Sequence, residues 1–418
     1  MLQNMKYGAL LACLLMMGHF SAKAQPAATG IQFENGLTWK AIREKAKKEK
    51  KYIFMDAYTT WCGPCKMMAK SIFPQPQVGS FFNANFINVK VQLDTTKKDD
   101  EEVRRWYQDA HDIMVNYSVR VFPTYLFFSP DGELVHRAVG ASDASAFIAK
   151  AKNALSPETQ YYSLLKQYNA GKKDSAFLRR LTSASAEAYD NMKMGEFTNA
   201  WAKTQQPLLT DNNIRFLSRF VNSSTDRAFQ EMLANPAAFD KVMGAGYARK
   251  SLRSVIMQED VLPIMYGAKQ PVDWTKLSDS LASKYKDLGK EIVSFSRIFS
   301  LQQEGNWEEF AKAAVAHMQT YGSQQSPDDL NSLAWAIFQN CDDAACIEQA
   351  IGWSKQSLTA TNAAYHDTYA NLLYKAGKKQ EAIEAQEKTV AIAKANNDDN
   401  IDDYTTTLEK MKKGEKTW

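Results

Sequence analysis

The sequence predicts an α/β domain, a mixed central sheet flanked by helices, followed by an all-α domain of helical-hairpin repeats. Three observations carry this. From Gly30 to Leu155, short β-type runs alternate with helical patterns and close on the hairpin turn Pro130-Asp131-Gly132. From Ser156 to Trp418 almost no strand signal remains. In the last third, Gly305, Cys341 and Gly377 recur every 36 residues, with Leu301, Ile337 and Leu373 before them and Phe310, Cys346 and Ala382 after. Apolar residues in phase on both sides of a turn are what stacked helical hairpins require.

Within the α/β region the strands expected are Tyr52–Ala57, Phe86–Leu93, Thr124–Phe128 and Leu134–Val139, most of them rich in aromatic and β-branched residues. Helical spacing fills Leu37–Glu49, Lys66–Ile72, Glu101–Tyr117 and Asp143–Leu155. Ser156-Pro157-Glu158 then reads as an N-cap, a first-turn proline and a first-turn acid, opening the helical region. Asn235-Pro236 and Gln270-Pro271 are breaks between helices. The domain expectation is therefore a leader at 1–24, the α/β domain at 25–155, a helical domain at 156–290 and helical repeats at 291–418.

The leader expectation rests on Lys6, the apolar run Ala9–Met17 and the small-x-small site Ala22-Lys23-Ala24, the pattern of an export signal. The run is shorter than the roughly 20 apolar residues that a membrane span needs. Cys13 lies inside it rather than after it, which argues against lipid anchoring. An exported, periplasmic and soluble protein is expected. The composition, 45% hydrophobic and 23% charged over 418 residues, is that of a globular protein. Without the leader 49 basic residues face 47 acidic ones, which leaves no field to attract nucleic acid. The basic run Lys40–Lys51 contains Glu44 and Glu49 at helical spacing and reads as a solvated helix face.

Export makes each close cysteine pair a candidate disulfide. Four cysteines follow the leader: Cys62, Cys65, Cys341 and Cys346. Trp61-Cys62-Gly63-Pro64-Cys65-Lys66 comes after an expected strand and opens an expected helix. A helix N-terminus offers free N–H groups and a partial positive charge, which favour a thiolate. Cys62, ahead of the helix, is expected to be exposed and nucleophilic. Cys65, one turn in, is expected to be shielded and to resolve the mixed disulfide formed at Cys62.

This segment resembles the thioredoxin family, whose motif Trp-Cys-Gly-Pro-Cys-Lys is matched at all six positions. The resemblance covers about 31–155. It implies a buried acid at Asp56, six residues before Cys62, and a neighbouring lysine at Lys90 that tunes it. It implies a cis-proline loop at Phe122-Pro123-Thr124 and a glycine at Gly140 where a substrate chain approaches. Trp61, Gly63, Pro64, Phe122, Pro123 and Gly140 would then contact substrate. A depressed pKa at Cys62 is likewise what the resemblance implies. On physical grounds, a carboxylate buried behind Cys65 would hold a raised pKa and accept its proton. The stretch between Asp94 and Pro123 is longer than in minimal thioredoxins and adds Lys97–Glu102 and the pair Trp106-Tyr107.

Tyr369-Ala370, Leu373, Gly377 and Ala382 resemble the tetratricopeptide signature, which implies a surface for a protein partner. Cys341 and Cys346 are a candidate second disulfide across a turn, or inert packing thiols. His111 and His136 lack matching partners and read as surface or core residues. Met67-Met68 reads as packing. Neither metal nor cofactor is expected.

The function expected is an exported thiol:disulfide oxidoreductase reducing oxidised or misoxidised envelope proteins, itself re-reduced by a membrane-embedded thiol donor. The alternatives are a disulfide oxidase or isomerase, and a helical-repeat adaptor using the α/β domain as a platform. A platform needs neither cysteine, which counts against the last.

Overall fold

The computed structural model describes residues 30–267 and 270–418; the expected leader and Cys13 lie outside them. The described chain divides into two compact units between Gln206 and Pro207.

In the first unit, helix α1 (Trp39–Glu49) leads into β1 (Tyr52–Tyr58), the centre of a four-stranded sheet. The motif helix α2 (Gly63–Met67) continues as a π-helical turn to Ile72, and α3 (Pro76–Asn85) returns to β2 (Phe86–Gln92). Then come α4 (Glu101–Arg105), α5 (Tyr107–Asn116), β3 (Thr124–Phe128), β4 (Leu134–Val139) and α6 (Ala144–Asn153). The sheet order is β2-β1-β3-β4, with β1 parallel to β2 and antiparallel to β3, and β3 antiparallel to β4.

Alternation along β1 sends side chains into two cores. Ile53, Met55 and Ala57 pack with Trp39 and Ile42 of α1 and with Ile113 of α5. Phe54 points the other way, among Met68, Ile72, Phe82 of α3 and Phe147 of α6. That second core is aromatic: Phe82 and Phe147 stack at 4.6 Å, and Phe54 meets Phe82 edge-on at 4.7 Å.

Several sequence expectations change. Helix α3 was not foreseen. It carries Gly79 where a β-carbon would strike the backbone of Gly30, so a helix-weakening residue is retained for close approach. The single helix expected over Glu101–Tyr117 breaks at Trp106, whose ring packs into the α1/α5 core while the Tyr107 hydroxyl donates to Asp99 Oδ2 at 2.8 Å.

Ser156 does not cap a helix. Residues 156–160 form a turn in which Gln160 N–H donates to Ser156 O at 2.9 Å. The Gln160 side chain, buried, donates to Ala154 O at 2.9 Å, and the Thr159 hydroxyl donates to Asn153 O at 2.8 Å. These bonds overrode the capping signal, and the next helix, α7 (Tyr161–Asn169), starts only after them.

Helices α7, α8 (Ser175–Glu187) and α9 (Asn191–Ala202) join the α/β region in the first compact unit, which runs on to Gln206. His136, fully buried on β4, explains why. Its Nδ1 accepts from Tyr161 N–H at 3.1 Å, and its Nε2 lies 3.5 Å from Glu187. A core histidine thus anchors the start of α7 to the sheet, with Glu187 of α8 beside it.

The second unit is helical throughout its described residues. One helix ends at Ala234 and the next begins at Pro236, as expected. Helices Asp287–Gln303 and Trp307–Tyr321 turn at Gly305, and Ala363–Lys375 and Lys379–Asn396 turn at Gly377. Both glycines have φ near +70 to +80° and both turns repeat one bond pattern: Asn306 N–H to Leu301 O at 3.0 Å, and Lys378 N–H to Leu373 O at 2.9 Å. Between them, Pro327–Asn340 and Ala344–Ser357 turn at Cys341, which is extended at φ −121°. The in-phase residues Ile337, Leu373, Phe310, Cys346 and Ala382 share one core.

The anchoring of α7 predicts where the chain is cut. Brief treatment with a broad-specificity protease should cleave first within 203–210, where the backbone is irregular and largely exposed. First cuts within 155–161, read by mass spectrometry, would show that α7–α9 do not stay docked.

Candidate functional site

The C-terminal end of β1 aims the motif. After Tyr58 the chain turns through Thr59-Thr60-Trp61, with Cys62 N–H donating to Thr59 O at 3.3 Å. Asp94, just beyond β2, holds this turn: one carboxylate oxygen accepts from Thr60 N–H at 2.9 Å and the other from the Thr60 hydroxyl. Cys62 is the N-cap of α2, its Sγ accepting from Cys65 N–H at 3.1 Å, and Pro64 occupies the first turn, where its missing N–H costs nothing.

Cys62 and Cys65 are joined by a disulfide, their Cα atoms 5.3 Å apart. The expectation of an exposed Cys62 is corrected here. It keeps 3% of its accessibility against 6% for Cys65. With its sulfur tied to Cys65, Cys62 faces inward, and Trp61 (68% exposed), Gly63 and Pro64 form the surface instead. The contrast between an open and a shielded sulfur is absent from the oxidised state.

The other expected contacts gather around this motif. The Phe122-Pro123 peptide is cis, and the Phe122 ring meets Trp61 edge-on at 5.6 Å. Gly140 N–H donates to Pro123 O at 3.0 Å, which ties the end of β4 to the cis-proline loop.

Asp56 is 2% exposed and lies on the same face of β1 as Phe54, the face covered by Met68 and Ile72 beyond Cys65. Its Oδ1 has no hydrogen-bond partner. Burial pushes its pKa from 3.8 up to about 7, and the charge of Lys90 opposes that rise. Lys90 is Asp56's register partner on β2, but its side chain is exposed and its ammonium lies 4.4 Å over the Tyr58 ring. Lys90 therefore acts on Asp56 through space.

Tyr125, the register partner of Asp56 on β3, escaped the sequence reading. It is fully buried with its hydroxyl unpartnered, and burial together with the nearby Asp56 charge raises its pKa. Only the β1/β3 register could have revealed it.

The insertion after Asp94 is folded by a second carboxylate. Asp99 accepts from Thr96 N–H at 2.7 Å, the Thr96 hydroxyl at 2.6 Å, Gln92 Nε2 at 3.0 Å and the Tyr107 hydroxyl. The bonds from Thr96 hold its pKa far below the usual range.

Cys341 and Cys346 are free thiols, so the expected second disulfide is not formed in this structure. His111 is exposed, and Met68 is buried in the aromatic core while Met67 is partly exposed. Among the described residues no cluster of three or more His, Cys, Asp or Glu side chains is placed to hold a metal ion.

A mixed sheet with a Cys-Gly-Pro-Cys turn at a helix start, an acid buried on the sheet face covered by Met68 and Ile72, and a cis-proline loop beside the motif's Trp61 defines a thiol–disulfide exchange fold. Residues 39–155 match the family model of a thioredoxin-like domain. A thioredoxin-like protein of Synechocystis is 32% identical over 98 residues, 23% of this chain and 76% of that protein. The chain belongs to the thioredoxin-like family. It is also 28% identical over 110 residues to the thiol:disulfide interchange protein DsbD of Pseudomonas fluorescens, 26% of this chain and 17% of that one. Among solved structures, a putative disulphide-isomerase from Bacteroides thetaiotaomicron shares 35% identity over 31% of this chain and 95% of its own, with a TM-score of 0.25. The chain spans between 17% and 46% of the first curated relatives it matches. No helix among the described residues is long and apolar enough to cross a membrane.

The Asp56 environment fixes a pH dependence. The folded chain keeps the Asp56 proton between about pH 4 and 7, where the unfolded chain has released it. The protonated form thus stabilises the fold below pH 4, and that contribution is lost as pH rises through 7, by about 4 kcal/mol in all. Asp56→Asn does not titrate, so its stability relative to the parent should rise by about 2–3 kcal/mol from about pH 5 to pH 8. Urea unfolding at both pH values measures this. A constant difference would mean that Asp56 titrates normally.

Proposed function

We propose that this chain is an exported thiol:disulfide oxidoreductase that reduces disulfides in envelope proteins through Cys62 and Cys65. The observation that carries the reading is the Cys62–Cys65 disulfide at the start of α2, with Asp56 buried on the same side of the sheet and Trp61 and Pro64 exposed around it. In the dithiol form, the Cys62 thiolate attacks a client disulfide and one client thiolate leaves. Asp56 takes the Cys65 proton, Cys65 attacks Cys62 Sγ, and the second client thiolate leaves. Two electrons pass to the client and the Cys62–Cys65 disulfide remains. A thiol donor at the membrane then restores the dithiol. Trp61, Gly63, Pro64, Phe122, Pro123 and Gly140 frame the client chain, and the helical repeats of the second unit, tetratricopeptide-like, select it. Export rests on the leader pattern of residues 1–24.

Run backwards, the same two steps oxidise a client dithiol. Equilibration with glutathione buffers fixes the direction, since for this couple about 30 mV corresponds to about 1.4 kcal/mol.

Cys65→Ser should accumulate mixed disulfides with envelope proteins, and Cys62→Ser almost none. Non-reducing electrophoresis and mass spectrometry of the trapped species measure this. A folded, exported Cys65→Ser chain that traps nothing would defeat the reading.

The two chemical steps separate at Asp56. Asp56→Asn should slow release of the second client thiol at least tenfold while leaving the first attack within about twofold, because only Cys65 gives up its proton to the buried acid. Stopped-flow thiol exchange resolves both phases, and equal slowing would remove Asp56 from the second step.

A further inference from the structure

The second unit carries two thiols that the chemistry above does not use. Cys341 stands in the slot held by Gly305 and Gly377 in the neighbouring hairpins, and Cys346 in the slot of Phe310 and Ala382. The turn geometry brings these two slots together. Cys341 ends its helix with its N–H donating to Ile337 O at 2.9 Å, and its extended backbone redirects the chain through Asp342. Asp343 then caps the next helix by accepting from Cys346 N–H at 2.8 Å, which fixes Cys346 in the first turn.

Burial, together with the neighbouring Cys341, pushes the Cys346 thiol up to about 12. Cys341 is half-buried and Cys346 buried. Both line a cleft of about 840 Å³, with Trp307, Ala311 and Val315 of the helix Trp307–Tyr321 among its other walls. Of the two, Cys341 is the more accessible.

We propose that Cys341 and Cys346 form a second thiol–disulfide exchange site whose substrate is an organic disulfide entering this cleft. The Cys341 thiolate attacks the disulfide, a sulfur–sulfur bond forms at Cys341, and one thiolate leaves. Cys346 then gives its proton to solvent and attacks Cys341 Sγ, which expels the second thiolate. The substrate gains two electrons and becomes two thiols, while Cys341 and Cys346 become a disulfide. The site is independent of Cys62 and Cys65.

The test uses the full chain with Cys62→Ser and Cys65→Ser, so that the first site contributes nothing, and oxidised glutathione as the probe. Tryptic peptide 313–355 contains both cysteines and no other. It should lose the mass of two hydrogens, with both thiols lost to a thiol reagent. Adding Cys346→Ser should instead leave one stable glutathione on Cys341, and adding Cys341→Ser should leave none. Circular dichroism checks that each variant keeps its helices, and the mass of the peptide with both cysteines present decides the matter even if one of these variants does not fold. Two unchanged thiols, or glutathione that stays on Cys341 with Cys346 present, would overturn the proposal.

Discussion

β1 is hydrogen-bonded along both edges, to β2 from Tyr52 to Tyr58 and to β3 from Ile53 to Ala57. A strand pinned on both sides cannot slip by one residue without turning Phe54 out of the aromatic core and Asp56 away from the motif helix. The position of Asp56 is thus a product of register rather than of any bond its carboxyl makes. The same register sets Lys90 on one side of it and Tyr125 on the other, and the end of the strand decides where Cys62 begins its helix. The aromatic contacts of Phe54, Phe82 and Phe147 hold that register in place, and with it the burial that raises the Asp56 pKa.

Much of this was legible in the sequence, and the reasons differ by residue. The four strands announced themselves because their aromatic and β-branched residues suit a pleated, buried surface. The cysteines were legible through their motif, and Asp56 through the resemblance that implies a buried acid six residues before Cys62. Tyr125 and the Asp94 clamp on Thr60 were not, because each depends on which strands become neighbours across tens of residues. Helix α3 was hidden by Gly79, whose role appears only once Gly30 lies against it. The inward turn of Cys62 is a matter of accessible area, which residue type does not report. At Ser156 a good local signal lost to a buried Gln160 amide, and the next helix begins only at Tyr161.

In the second unit the phase of the apolar residues was enough to locate the turns, since a turn with apolar flanks is a local feature. What the period could not convey is how unlike the middle turn is. Gly305 and Gly377 take up a left-handed backbone that a cysteine adopts only with strain, so Cys341 builds its turn with an extended residue and an aspartate cap instead. The regular period and the altered turn coexist because Ile337 and Cys346 still reach the common core.

The insertion after β2 holds its shape through Asp99, whose four donors keep it ionised well into acid, while Asp56 changes charge near neutrality. One carboxylate belongs to the frame and the other, in the proposed mechanism, to the chemistry, and their titration ranges do not overlap. Acidification to pH 5 would therefore protonate Asp56, the proton acceptor proposed above, while leaving the loop framework intact. For the exported oxidoreductase proposed above, acid surroundings would then mean reversible idling rather than unfolding.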